Sequence, residues 1–204
     1  MPVISAENSE RLFWLGRYSE RAFTGLRVFC EQFSFMQAGN DSAQRICFDE
    51  NNPESIASSL NRAYDNAIVL RDEIGSDTFS YVQLAVYEIK NASRSRTPLL
   101  GLQKVIDNIA AFWGMADDSM EDEHARNIIK CGTRVERVDL YARINANSEN
   151  IRKEIRRLSY RIARTGLHYS AESLERLNAL AAESELDRKS IVREVESLVY
   201  FESL

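Results

Sequence analysis

The stretch Trp14-Leu15-Gly16-Arg17-Tyr18-Ser19-Glu20-Arg21-Ala22 decides how this chain is read, because a reduced copy of it returns in the second half. Setting Gly16 on Gly132 places Glu20 on Glu136, Arg21 on Arg137 and Arg27 on Arg143. The shared pattern is Gly, three residues, Glu-Arg, five residues, Arg. At about 100° per residue, Gly16, Glu20, Phe23 and Arg27 fall within roughly 60° of one another on a helix. Leu12 and Cys30 extend the same stripe, while Trp14, Tyr18 and Val28 lie opposite. A helix apolar nearly all round belongs in the interior. Both motif helices therefore place a carboxylate and a guanidinium on core-facing positions, where charge is costly unless paired.

The surroundings favour helices. Gly and Pro are scarce, at 8 and 3 of 204 residues, which leaves little material for hairpin turns. An apolar fraction of 44% with 28% charged residues is that of a globular domain with one substantial core. The net charge of -5 argues against general nucleic-acid binding. Cys30, Cys47 and Cys131 are odd in number, lack metal-ligand spacing and sit among apolar residues, so reduced core thiols are expected. The start Met1-Pro2-Val3-Ile4-Ser5-Ala6-Glu7 has neither a basic region nor an apolar run, and no segment is long enough to span a bilayer. A cytoplasmic protein without membrane attachment is the expectation.

In chain order, the first helix is predicted from after Ser5 to about Gln37, stopped by Gly39-Asn40-Asp41-Ser42. A short apolar segment, Ile46-Cys47-Phe48, leads to Asn52-Pro53, a cap and first-turn proline that predict a helix through Ile74 to Gly75. A third follows over about 77–92. Thr97-Pro98 opens a fourth, running to Trp113 and Gly114. The second motif helix is expected over about 119–145, capped by Asp118 or Ser119 and broken by Asn145 and Asn147. A sixth ends at Gly166, and two shorter ones cover about 171–182 and 186–202. No period-two strand is found. The class is all-α: a single domain, 1–204, of seven to eight mostly antiparallel helices. It is built from two pseudo-twofold-related repeats, about 5–92 and 118–202. Gly16 and Gly132 would let the two motif helices approach closely.

Three groups of residues could carry chemistry. The first is the Glu/Arg centre: Arg17, Glu20, Arg21, Arg27, Glu136, Arg137 and Arg143. It reads either as a polar site or as reciprocal buried salt bridges that fix the register, and the second reading weighs more. Glu20 is expected to reach Arg143 or Arg137, and Glu136 to reach Arg27 or Arg21. The second group is Asp118, Glu121, Asp122 and His124 in an acidic run, a candidate for a divalent cation. Helix capping explains the run more simply, and the Glu-x-x-His pairs of di-iron bundles are missing. The third is a basic stripe, Lys153, Arg157, Arg161 and Arg164, flanked by Arg152 and Arg156, which could dock an acidic partner or nucleic acid, the latter weakened by the lack of interleaved aromatics. A solvated face is the simpler account. No phosphate-binding loop, nucleophile elbow or catalytic triad pattern occurs, so neither an enzymatic activity nor a cofactor is indicated.

With these residues laid out, the chain resembles the alpha-E domain family, bacterial all-helical proteins named for a Glu-Arg pair. The likeness is carried by Trp14 to Ala22, Phe48-Asp49, Asn52-Pro53-Glu54-Ser55-Ile56, Asn66-Ala67, Arg71, Asp118-Ser119-Met120 and Asp122-Glu123. It is strongest from Leu12 to Ile74 and thins after about Asn145. Thr133 stands where the family pattern has arginine, and Tyr64 and Phe79 also depart from it. The resemblance implies a non-catalytic partner of ATP-grasp-like and transglutaminase-like proteins in an amide-ligation or peptide-processing system. An enzyme or small-molecule binder using the Glu/Arg centre, and an adaptor using the basic stripe, are the alternatives. Self-association is compatible with either.

Overall fold

A computed structural model describes residues 4–33 and 41–201. The expected end of the first helix near Gln37, the Gly39-Asn40 stop, the first three residues and the expected helix end at 202 lie outside the described residues. Ten helices occur among the described residues: α1 (Ala6–Phe33), α2 (Asp41–Phe48), α3 (Ile56–Val69), α4 (Arg71–Ile74), α5 (Ser76–Ser93), α6 (Pro98–Ser119), α7 (Glu123–Arg143), α8 (Ser148–Ile162), α9 (Ala171–Ala182) and α10 (Arg188–Glu196). The only extended pairing among them is one antiparallel bridge, Tyr169 with Val199. The protein is all-α. Two short helices, α2 and α4, add to the eight that the sequence pattern contains.

The chain falls into two compact units: Tyr18–Asp122, and Met1–Arg17 with Glu123–Leu204. Helix α1 thus contributes to both. In the Tyr18–Asp122 unit, α5 packs on α6 and on α3, and α2 packs on α3. The core joins Leu26 and Phe29 of α1 to Leu60, Val86, Ile89, Leu102, Val105 and Ile109. Burial of each such side chain is worth about 1.5–3 kcal/mol. In the other unit α7 packs on α8 and α10, and α9 packs on both α8 and α10. Its core includes Ile128, Ile129, Ile151, Ile155, Leu177 and Ile191, all buried.

Several boundaries differ from the sequence expectation. The segment Ile46-Cys47-Phe48 is the end of a helix. Ser55, not Asn52, caps α3: its hydroxyl accepts the Ser58 amide at 3.0 Å, while Asn52 accepts the Glu54 amide in a preceding turn. Helix α6 continues through Gly114 to Ser119, since Ile109, Phe112, Ala116 and Met120 keep one buried face in register. That gain outweighs a mid-helix glycine penalty of about 1 kcal/mol. Asp118 and Ser119 therefore close α6 rather than cap α7. Asn145, at φ 53°, ends α7 as expected, and Asn147 caps α8 by accepting the Glu149 amide at 2.8 Å.

Candidate functional site

The Glu/Arg centre is built around a crossing of α1 and α7 at two glycines. A Cβ added at Gly16 would stand 2.1 Å from the Ile129 carbonyl oxygen and 3.1 Å from the Thr133 amide nitrogen. One added at Gly132 would stand 2.1 Å from the Phe13 carbonyl oxygen and 3.1 Å from the Arg17 amide nitrogen. Phe13, Gly16 and Arg17 correspond to Ile129, Gly132 and Thr133 in the repeat, so the crossing obeys a local pseudo-twofold. Backbone meets backbone there, and no side chain fits.

From this crossing the chemistry follows. Glu136 is fully buried, one turn past Gly132, and accepts a hydrogen bond from the Nε of Arg17 at 2.7 Å. The Arg17 side chain is 12% exposed, and its guanidinium also lies 5.0 Å from the centre of the Trp14 ring. Next on α7 comes Asp139, buried and bonded by Arg143 Nε at 2.9 Å. Arg143 also donates to Glu196 of α10. Burial pushes the Asp139 carboxyl above its ordinary range, with a further push from Glu136, against the pull of Arg143 and Arg17. For Arg143, burial lowers the pKa but Asp139 and Glu196 outweigh it, leaving the guanidinium above its usual value.

The position equivalent to Arg17 is Thr133, whose hydroxyl donates to the carbonyls of Ile129 at 3.1 Å and Gly16 at 3.4 Å. Within the other unit, Glu20 is fully buried and accepts from the Thr24 hydroxyl at 2.7 Å. Arg21 and Arg62 both lie over the Tyr18 ring, at 5.7 and 5.6 Å.

Two of the arginines expected at the centre lie away from the crossing. Arg27 is exposed, over the Phe23 ring at 5.9 Å, and Arg143 is half exposed. Each lies eleven residues beyond its glycine, roughly 16 Å along the axis from the crossing. The buried stripe of α1 also turns by roughly 100° between Leu12–Glu20 and Ala22–Phe29, so a position in line with Glu20 becomes external by Arg27. Arg17, not one of the partners expected for Glu136, donates to it across the crossing. The acidic run is likewise dispersed: Asp118 lies in α6, Glu121 and Asp122 in the connection, and His124 in the first turn of α7. Among the described residues no group of three or more His, Cys, Asp or Glu is placed to hold a metal ion.

The basic stripe does form a shared surface. Lys153, Arg157 and Arg161, with Arg156 and Tyr160 of α8 and Arg134 of α7, line an open cleft of about 460 Å³. Buried Glu154 lies in the same region, bonded by Arg134 and by Arg157 at 2.9 Å, with Arg137 4.0 Å away. Arg164 packs on the Tyr160 ring at 4.0 Å and donates to its hydroxyl. Arg152 turns elsewhere, donating to the carbonyls of Ala181, Glu183 and Ser184 at the end of α9. Reading the sequence missed Arg134 and Glu154. For Glu154 a signal existed: it shares the helical face of Ile151, Ile155 and Leu158. The three cysteines are thiols rather than disulfides, and burial raises their pKa values, that of Cys131 to about 12 against the pull of Arg161.

A family model matches residues 24–174: Alpha-E, described as a predicted alpha-helical domain with a conserved ER motif. The chain belongs to the Alpha-E family. The matched region starts after Glu20-Arg21 and includes Glu136-Arg137, so it reaches further toward the C-terminus than the sequence likeness suggested. No curated protein and no solved structure matches the chain. Among the described residues no helix is long and apolar enough to cross a membrane.

Proposed function

We propose that the chain is a non-catalytic partner protein in the bacterial cytoplasm, serving an amide-ligation or peptide-processing system with ATP-grasp-like and transglutaminase-like proteins. The observation that carries the non-catalytic part is the Arg17–Glu136 bond at the glycine crossing. A carboxylate that is fully buried and bonded to a guanidinium between two closely packed helices is spent on holding them. The family likeness supplies the class of partner. The test is co-purification with an ATP-grasp-like protein from the same organism. A stable complex, with ligation activity residing in the other protein, supports the role. Turnover of a substrate by this chain alone, abolished in Glu136→Gln while its melting temperature is unchanged, overturns it.

A further inference from the structure

We propose that the cleft between α7 and α8 is a docking site for an acidic segment of a partner polypeptide, one presenting successive carboxylates about 6 Å apart. The inference rests on the reading of the chain as a partner protein and assigns the surface that engages the partner.

Charge is the first argument. Five cations line the cleft: Arg134, Lys153, Arg156, Arg157 and Arg161. The carboxylates bonded to them are Glu154, shared by Arg134 and Arg157, and Glu149, bonded to Arg156. Lys153 has no carboxylate partner among the described residues, and Arg161 donates to the neutral side chain of Asn127. The local surplus is positive on a chain of net charge -5. At physiological salt, charges more than about 8 Å away are largely screened, so the local sign governs contact.

Order is the second argument. Glu154 is 5% exposed and ties down two of the arginines, which keep further N–H donors for a ligand. Guanidinium groups already held in place lose less freedom on binding. Spacing is the third. Lys153, Arg157 and Arg161 follow at four-residue steps on α8, about 6 Å apart. Glutamates four apart on a helix, or at alternate positions of an extended peptide, have nearly that spacing. The aromatic lining the cleft favours a peptide over single-stranded nucleic acid. Arg164 lies over the Tyr160 ring, which leaves it a poor platform for base stacking.

The test uses a fluorescein-labelled nine-residue peptide of alternating Glu and Ala, with binding read by anisotropy at low salt. Lys153→Glu with Arg156→Glu reverses two cleft charges without touching a bond to buried Glu154, so the circular-dichroism melt should not change. Arg94→Glu with Arg96→Glu makes the same net change on the exposed connection before α6. The expected result is binding that weakens at least about tenfold in the cleft variant and stays within about twofold in the control. No binding overturns the site. So does equal loss in both variants, or tighter binding of a single-stranded oligonucleotide at the same salt. Self-association abolished only by the cleft variant would assign the cleft to a second copy and overturn the proposal. Co-purification with the ATP-grasp-like protein that persists in the cleft variant overturns the docking site and leaves the partner role standing. Its loss in that variant alone supports both.

Discussion

The surroundings of Gly16 and Gly132 are the same to the tenth of an ångström: a facing carbonyl oxygen at 2.1 Å and a facing amide nitrogen at 3.1 Å from an added Cβ. One residue further the likeness ends. Arg17 sends its guanidinium to buried Glu136, whereas Thr133 spends its hydroxyl on the carbonyls of Ile129 and Gly16. The backbone requirement is met twice in this unit and the charged one once. Close approach depends only on the lack of a side chain, so both copies must keep it. A salt bridge can be replaced by hydrogen bonds to backbone, provided no buried charge is left without a partner.

The most severe way to break the comparison is to fill either glycine. Gly132→Ala places a methyl against the Phe13 carbonyl, and relief requires backbone to move. A loss of more than about 4 kcal/mol is expected by chemical denaturation, with Gly16→Ala close behind it. Clearly unequal losses would show that the pseudo-twofold is not shared energetically. Thr133→Val should cost only about 1 kcal/mol, the worth of an ordinary hydrogen bond.

A smaller, pH-dependent effect sits at Asp139. Its folded pKa is raised, so its contribution to stability is fully present below the ordinary carboxylate pKa near 3.8 and is lost as pH rises through the folded value. The melting temperature of the protein minus that of Asp139→Asn should therefore fall as pH rises above about 4. A difference that grows with pH would reverse the sign of the account. The smallest effect belongs to Asp187, the exposed cap of α10, which accepts from the Ser190 hydroxyl and amide. Those bonds hold its carboxyl below the usual range. Asp187→Ala should lower the melting temperature slightly at neutral pH and leave it unchanged in strong acid, where the wild-type cap is protonated.

Helices were legible from spacing because their buried faces recur at helical intervals: the expected 171–182 is α9 (Ala171–Ala182) residue for residue. The glycine pair was legible too, since two mid-helix glycines at equivalent places in a repeat ask for a reason. The bond from Arg17 to Glu136 was not. A helical wheel groups residues by angle and ignores distance along the axis, so it favoured Arg27 and Arg143 in line with the glutamates. Contacts at a crossing are confined to about one turn on either side of the nearest point. Arg17, beside Gly16 but off the Glu20 stripe, is within that span, and Arg27 and Arg143 are not. The depth of Glu154 was obscured in a similar way, by four basic residues within the run from Arg152 to Arg157.

The account stands on Glu136 being a structural anchor held by Arg17, and a double-mutant cycle tests that directly. Arg17→Met alone should cost about 3–5 kcal/mol, because it takes a bonded guanidinium away from a buried carboxylate. Glu136→Gln should also destabilise. The double variant should lose less than the two single losses combined, by at least about 1 kcal/mol. Losses that add to within about 0.5 kcal/mol would contradict the pairing and return Glu136 to the list of residues free for chemistry.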